Sequence, residues 1–210
     1  MTRAPDPGSR LANVDVSRET RERLEIYARL LQQWNQKINL VSNATVDNLW
    51  TRHFADSLQV FAAADAQGGH WADLGSGGGF PGMVVAVAAQ GAGSEMTMTL
   101  VESDQRKAAF LRTVSRETSV AVDIRTERIE DLSPLKADIL SARALAPLTK
   151  LLVFSERHLR PDGMAIFPKG ARYGTEVEEA RNMWAFDCET VQSCLDPNAV
   201  ILKIGDISRV

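Results

Sequence analysis

Four glycines occupy five consecutive positions, Gly75 to Gly79, and begin two residues after Asp73. Glycine lets the main chain take positive φ and lets a ligand come close to it. Pro81 follows, and proline can open a helix because its missing N–H would be unpaired there in any case. The run Trp71–Gly82 therefore predicts a short strand, a tight turn and a helix N-terminus, which is how an α/β sheet holds a nucleotide-like cofactor. Two carboxylates accompany it. Asp73 sits in the strand itself. Glu102 ends a later apolar run, where an acid can accept both hydroxyls of a ribose.

The glycines fit two patterns. Gly77, Gly79 and Gly82 match G-x-G-x-x-G, the dinucleotide fingerprint. Asp73, Gly75, Gly77 and Gly79 match Asp-x-Gly-x-Gly-x-Gly. Asp73 discriminates between them. Beside a pyrophosphate its charge is repelled, whereas beside the ammonium of S-adenosylmethionine it is favourable. S-adenosylmethionine is the expected cofactor, and a nicotinamide dinucleotide is the competing reading. Ile129, set among the charges of Glu127–Asp131, is placed to pack on an adenine ring, with Glu130 or a nearby main-chain group at its edge.

The acceptor side offers few reactive groups. A carbon acceptor such as C5 of a pyrimidine commonly needs a thiolate, yet Cys188 and Cys194 follow neither the fourth nor the fifth predicted strand. Exocyclic base amines are usually met by an Asn/Asp-Pro-Pro-aromatic loop, and that position reads Ser141-Ala142-Arg143-Ala144. A ring nitrogen with an exposed lone pair, such as guanine N7, needs no base and suits this inventory. Arg143 and Lys169 fall at the ends of the fourth and fifth strands. They are suited to RNA phosphate or to guanine O6 and N7, and equally to pairing with Asp73, Glu130 or a cofactor carboxylate. His53 is a candidate to stack or hydrogen-bond near the acceptor, or else to tie its helix to the sheet together with Asp56. Arg143, Lys169 and His53 are thus the candidate catalytic residues.

The elements that must position these groups alternate. Residues 1–16 carry Pro5, Pro7 and Gly8 and little to bury, which predicts a mobile tail. Residues 17–69 predict a helical cap without strands. Ser17 caps a helix with Leu24, Tyr27, Leu31, Trp34 and Ile38 on one face, and a second helix runs from about Thr45 to Ala64. Residues 70–210 alternate strand and helix and predict a mostly parallel seven-stranded sheet. Its strands are His70–Leu74, Met96–Glu102, Val120–Ile124, Asp138–Ala142, Met164–Phe167, Glu189–Ser193 and Ala199–Ile204, the last two forming an antiparallel edge. Helices are predicted over Pro81–Gln90, after Asp104, over Pro147–His158 and over Tyr173–Trp184, with a turn at Arg160–Gly163.

The bulk composition is that of an ordinary globular protein, 44% apolar and 24% charged, in 210 residues. The net charge of -3 excludes a generally basic nucleic-acid binder and leaves room for a local basic face. Two cysteines without a histidine cluster predict free thiols and no metal site. The longest apolar run, Met83–Ala89, is too short to span a bilayer, and no signal peptide is evident. A cytoplasmic monomer without membrane association is the expectation.

Taken together, the segments resemble the bacterial 16S ribosomal RNA guanine-N7 methyltransferases, the glucose-inhibited division protein B family. The resemblance rests on Trp34-Asn35-Gln36-Lys37-Ile38-Asn39-Leu40, Arg52-His53-Phe54-Ala55-Asp56-Ser57-Leu58 and Asp73–Gly82. It continues through Leu100–Ser103, Lys107–Leu111, Ser141–Ala144 and Pro168-Lys169-Gly170. The first two segments lie outside the generic cofactor fold, which makes the likeness specific. It implies a Rossmann-like class I S-adenosylmethionine-dependent methyltransferase acting on N7 of one guanine in the 530 loop of 16S rRNA (guanine 527 in the usual RNA numbering). The partner is then the RNA, the small subunit or an assembly intermediate. It also implies cofactor contacts at Gly75, Phe80, Ile129, Glu130 and Arg143. Gly78 departs from the family, where proline or alanine is common, and predicts a looser turn.

Overall fold

The computed structural model describes residues 10–11, 14–46 and 48–210. A small antiparallel pair, β1 (Arg10–Leu11) and β2 (Val14–Asp15), precedes the cap. Helix α1 (Arg18–Asn35) starts where the Ser17 side chain accepts the Thr20 amide at 3.1 Å, and it buries Leu24, Tyr27, Ala28 and Leu31. The short α2 (Asn43–Val46), a π-helical turn at Trp50–Phe54 and α3 (Ala55–Ala64) complete the cap.

The sheet follows as β3 (His70–Leu74), α4 (Gly82–Gly91), β4 (Thr97–Val101), α5 (Gln105–Thr118), β5 (Asp123–Arg125) and β6 (Ala137–Ser141). It ends with α6 (Leu148–His158), β7 (Leu159–Lys169), α7 (Tyr173–Arg181), β8 (Trp184–Gln192) and β9 (Val200–Arg209). The seven strands are ordered β5-β4-β3-β6-β7-β9-β8. The first five are parallel, and β9 runs antiparallel to both neighbours.

Side chains alternate between the two faces, as the pleat requires. Ile139, Ile166 and Ile201 join the cap-side core, while Leu140, Phe167 and Leu202 join the core beneath α6. The cap has no core of its own: Leu24, Tyr27, Leu31, Phe54 and Leu58 share one with Trp71, Met83 and Phe110. Helix α4 lies between cap and sheet, which is why every residue from Met83 to Ala89 is buried. Strand order reverses between β3 and β6. Loops leaving the carboxyl ends of these two strands open the crevice where such sheets bind ligands.

Several boundaries differ from expectation. The predicted mobile tail lies outside the described residues at 1–9 and 12–13. Its described part holds strands β1 and β2, in a region expected to have none, and Val16 is buried. The helix expected over Thr45–Ala64 is broken; Asp47 lies outside the described residues, and Trp50–Phe54 widens to a π turn. Pro81 caps α4 instead of forming its first residue. The turn expected at Arg160–Gly163 is a bulge inside β7, where Leu159 pairs with Ala137 and Met164 with Ile139. It is drawn back onto the sheet by Arg160, which pairs with Asp138 at 2.6 Å. β8 and β9 are longer than predicted because they pair with each other from Gln192↔Val200 to Trp184↔Arg209.

Candidate active site

The glycine loop joins β3 to α4 and is stapled to β4. The Ser76 amide donates to the Val101 carbonyl at 3.0 Å, and the Gly77 amide donates to Glu102 Oε2 at 2.8 Å. Glu102 Oε1 accepts the Asp104 amide at 2.8 Å, so one carboxylate fixes both the loop and the start of α5. Each of its oxygens keeps a further lone pair. A ribose contact therefore fits a carboxylate that the fold has already oriented.

Three loop glycines have positive φ, and each has a different neighbour. A Cβ at Gly75 (φ +66) would stand 2.6 Å from Leu145 Cδ1. At Gly77 (φ +56) nothing is nearer than the Gly75 carbonyl oxygen at 3.8 Å, so this stretch of main chain is open to a ligand. Gly79 (φ +93) faces the cap, against the Tyr27 hydroxyl and Met83, and does not line the crevice. Gly78 is tight where looseness was expected: a Cβ there would stand 3.1 Å from the Leu40 carbonyl oxygen. Leu40 is held in place by Asn35 Oδ1, which accepts the Leu40 and Val41 amides at 2.9 and 3.0 Å.

Asp73 is fully buried and lines neither of the two chambers beside the loop. Its Oδ1 accepts the Ser141 hydroxyl at 2.7 Å, and Ser141 Oγ accepts the Trp71 indole N–H at 2.8 Å. Oδ2 has no hydrogen-bond partner among the described residues. Burial pushes the carboxyl up to about 6, against the opposing pull of the Ser141 hydrogen bond and of the nearby Ser76 hydroxyl and Gly82 amide. Gly82 has no side chain because its Cβ would stand 2.5 Å from Asp73 Cβ. The acid thus lies beneath the loop, against the first turn of α4.

Two chambers meet at Gly75, Gly77 and the segment 143–146. The smaller, about 360 Å³, is walled by Glu102, Ile129 and Glu130. Ile129 is buried; Glu130 is exposed and pairs with Lys150 at 3.4 Å. The larger, about 1050 Å³, is walled by His53, Asp56, Phe80, Arg143 and Lys169.

Arg143 leaves the end of β6 and reaches into the cap. It donates to Asp56 Oδ2 at 3.2 Å, to the Arg52 carbonyl at 3.3 Å and to His53 Nδ1 at 2.7 Å, and its guanidinium lies 5.0 Å from the Phe80 ring centre. Ala144 takes φ +52 beside it, a left-handed conformation costing about 1 kcal/mol. Because Arg143 can only donate, His53 Nδ1 must accept, and Nε2–H donates to Thr45 Oγ1 at 3.0 Å. Burial, together with Arg143 and Arg52, lowers the imidazole to about 4. His53 and Asp56 both grip Arg143 just beyond β6, and in this way they tie the cap to the sheet, as the second reading of His53 expected.

Lys169 is also committed. Its side chain is 9% exposed and pairs with Glu176 Oε2 at 2.7 Å, while donating to the Ala146 carbonyl at 3.2 Å. Glu176 Oε2 accepts the Leu148 amide as well, which caps α6. Tyr27, Asn35 and Glu176 were missed by sequence reasoning, since Tyr27 reads as an ordinary apolar helix position and the other two as solvated polar ones. Ser141 had a signal, a lone hydroxyl in an apolar strand beside an acid.

A mostly parallel seven-stranded sheet in this order, with a glycine loop and a strand-end acid at its switch point, defines a class I S-adenosylmethionine-dependent methyltransferase fold. Solved structures share it at low identity. A ribosomal protein L11 methylase from Lactobacillus delbrueckii subsp. bulgaricus matches with a TM-score of 0.58 and 18% identity, covering 75% of this chain and 78% of that one. TYW2 of M. jannaschii, in complex with AdoMet, matches with a TM-score of 0.55 and 13% identity, covering 83% and 80%. The chain belongs to the rRNA small subunit methyltransferase G (GidB) family, whose model matches residues 20–200. Relatives named ribosomal RNA small subunit methyltransferase G are 52% identical in Ruegeria sp. (strain TM1040) and 53% identical in Ruegeria pomeroyi. Each match runs over 197 residues, 94% of this chain and 96% of the relative.

Proposed function

We propose that this chain transfers the methyl group of S-adenosylmethionine to N7 of one guanine in the 530 loop of 16S rRNA, presented as RNA, small subunit or assembly intermediate. The observation that carries the acceptor is that the half-buried proton-accepting groups of the larger chamber are all engaged. His53 uses both ring nitrogens, Asp56 holds Arg143, and Glu176 holds Lys169. Guanine N7 has a lone pair and no proton, so its methylation requires none of them.

The open main chain at Gly77, the oriented Glu102 and the apolar Ile129 fit the cofactor. Bound there, S-adenosylmethionine supplies an activated methyl group on a sulfonium. The sulfur–carbon bond breaks as the N7–carbon bond forms, the positive charge passes to the purine, and no proton moves. The protein's work is alignment. Glu102 and Gly77 fix the nucleoside end, and Leu145 lies over Gly75 where the chambers join. Phe80, stacked on Tyr27 and met by His53 and the Arg143 guanidinium, is buried where the loop meets the cap and holds that wall of the chamber in place.

Two measurements test this. Calorimetry should show binding of S-adenosylmethionine and not of NAD. Borohydride–aniline mapping of ribosomal RNA should show one N7-methylguanine in the 530 loop that disappears when the gene is removed. An unchanged map overturns the assignment.

A further inference from the structure

We propose that Arg52 and Arg172 are phosphate-binding residues that grip the RNA strand on either side of the target nucleotide where it enters the larger chamber. The inference rests on the RNA reading above and deepens it.

Four cations line this chamber, and they divide into two kinds. Arg143 and Lys169 are largely buried, each neutralised by a carboxylate in its own wall. Arg52 and Arg172 are exposed and form no ion pair among the described residues. They come from different parts of the fold. Arg52 stands on the π-helical turn of the cap, and Arg172 lies just beyond the carboxyl end of β7. Among the described residues only Glu179 of the chamber's carboxylates is exposed and without a cation, so the lining is net positive by one in a chain of net charge -3.

An acidic protein repels RNA over most of its surface, so attraction must come from local uncommitted cations. A guanidinium suits that purpose, since its planar fork matches phosphate oxygens. The main chain of the π turn is itself anchored. The Arg52 carbonyl there accepts Arg143, which holds the main chain while the Arg52 side chain is exposed. The buried pairs shape the chamber, and the two exposed arginines are left for the strand.

The test uses Arg52→Gln, Arg172→Gln and the double variant, with Arg116→Gln on the far end of α5 as a control. Binding to deproteinised 16S RNA and to small subunits from cells lacking the gene is measured across a KCl series. Each substitution should make the log–log salt dependence shallower by about 0.7 to 0.9. The Michaelis constant for RNA should rise about tenfold per arginine, with saturated turnover and S-adenosylmethionine affinity within about twofold of wild type and Tm unchanged. The control should match wild type. If wild type methylates the RNA and the double variant keeps its slope and Michaelis constant, this inference alone falls. If either variant loses S-adenosylmethionine affinity, the cation belongs to the cofactor and the inference falls. If wild type binds S-adenosylmethionine but methylates neither RNA nor subunit, the proposed function falls with it.

Discussion

The Tyr27 hydroxyl, on the first helix of the cap, donates to the main-chain carbonyl of Gly78 inside the glycine loop. The same ring stacks on Phe80 at 5.6 Å and meets the edge of Phe54 at 5.1 Å. Burial raises the phenol well above its ordinary range, so it remains a neutral donor. The cap therefore carries part of the glycine loop's geometry and is not only a lid above it.

Tyr27→Phe keeps the ring and removes the donor, leaving a buried carbonyl unpaired. A cost of about 1–3 kcal/mol is expected from denaturant unfolding, with a several-fold loss of S-adenosylmethionine affinity by calorimetry. Unchanged affinity would show that the loop holds its shape without the cap.

The loop glycines should separate by phenotype. Gly79→Ala drives a methyl into the Tyr27 hydroxyl and Met83, and it should lower Tm most. Gly77→Ala has room and meets only the strain of positive φ, about 1 kcal/mol; its defect should appear in cofactor affinity. Gly75→Val collides with Leu145 and should abolish binding. Equal Tm losses at Gly77 and Gly79 would contradict the assignment of one to ligand and the other to cap.

Arg143 and Asp56 should behave as a unit. Removing either leaves the other half-buried and unpaired, so Arg143→Ala and Asp56→Ala should each destabilise, and the double variant should cost less than the sum. A coupling of about 1–3 kcal/mol is expected from the double-mutant cycle. Arg143→Lys should not restore turnover, because an ammonium cannot bond Asp56, the Arg52 carbonyl and His53 with the same planar fork. Additive losses would mean that the pair is incidental.

Asp73 and His53 make opposite contributions to the pH dependence of stability. Asp73 titrates near 6 when folded and near 3.8 when unfolded, so the folded chain holds the extra proton between those values. Its contribution falls as pH rises from about 4 to 6. His53 titrates near 4 when folded and 6.5 when unfolded, so its contribution is complete above 6.5 and is lost as pH falls toward 4. Relative to wild type, Asp73→Asn should gain stability as pH rises through this window, and His53→Gln should lose it. Urea unfolding at three pH values between 4.5 and 6.5 measures both signs, and the same slope for both variants would contradict the two environments.

Much of this arrangement was legible in the chain. The βα alternation, the glycine loop, the Asp104 cap and the antiparallel edge follow from local rules of period, capping and turn chemistry. His70–Leu74 was read to the residue because a buried parallel strand between polar turns has few alternatives. The bulge at Arg160–Gly163 was not legible, since Pro-Asp-Gly looks the same in a turn and in a bulge until the strand beside it is known. Nor was the π turn at Trp50–Phe54, because its residues are equally compatible with an α-helix.

The sequence by itself determined the class of sheet, the place of the glycine loop and the types of residue around it, because these depend on neighbours a few positions apart. Only the tertiary structure decided which charges are free. Arg143 and Lys169 look available in the chain and are neutralised by Asp56 and Glu176. Arg52 and Arg172 look no different from them in the chain, yet stand exposed at the chamber and form no ion pair among the described residues. Glu102 looks like a ligand and first proves to be a staple. Partnership between distant side chains depends on how layers pack, and a charge buried without a partner is costly enough that packing assigns one.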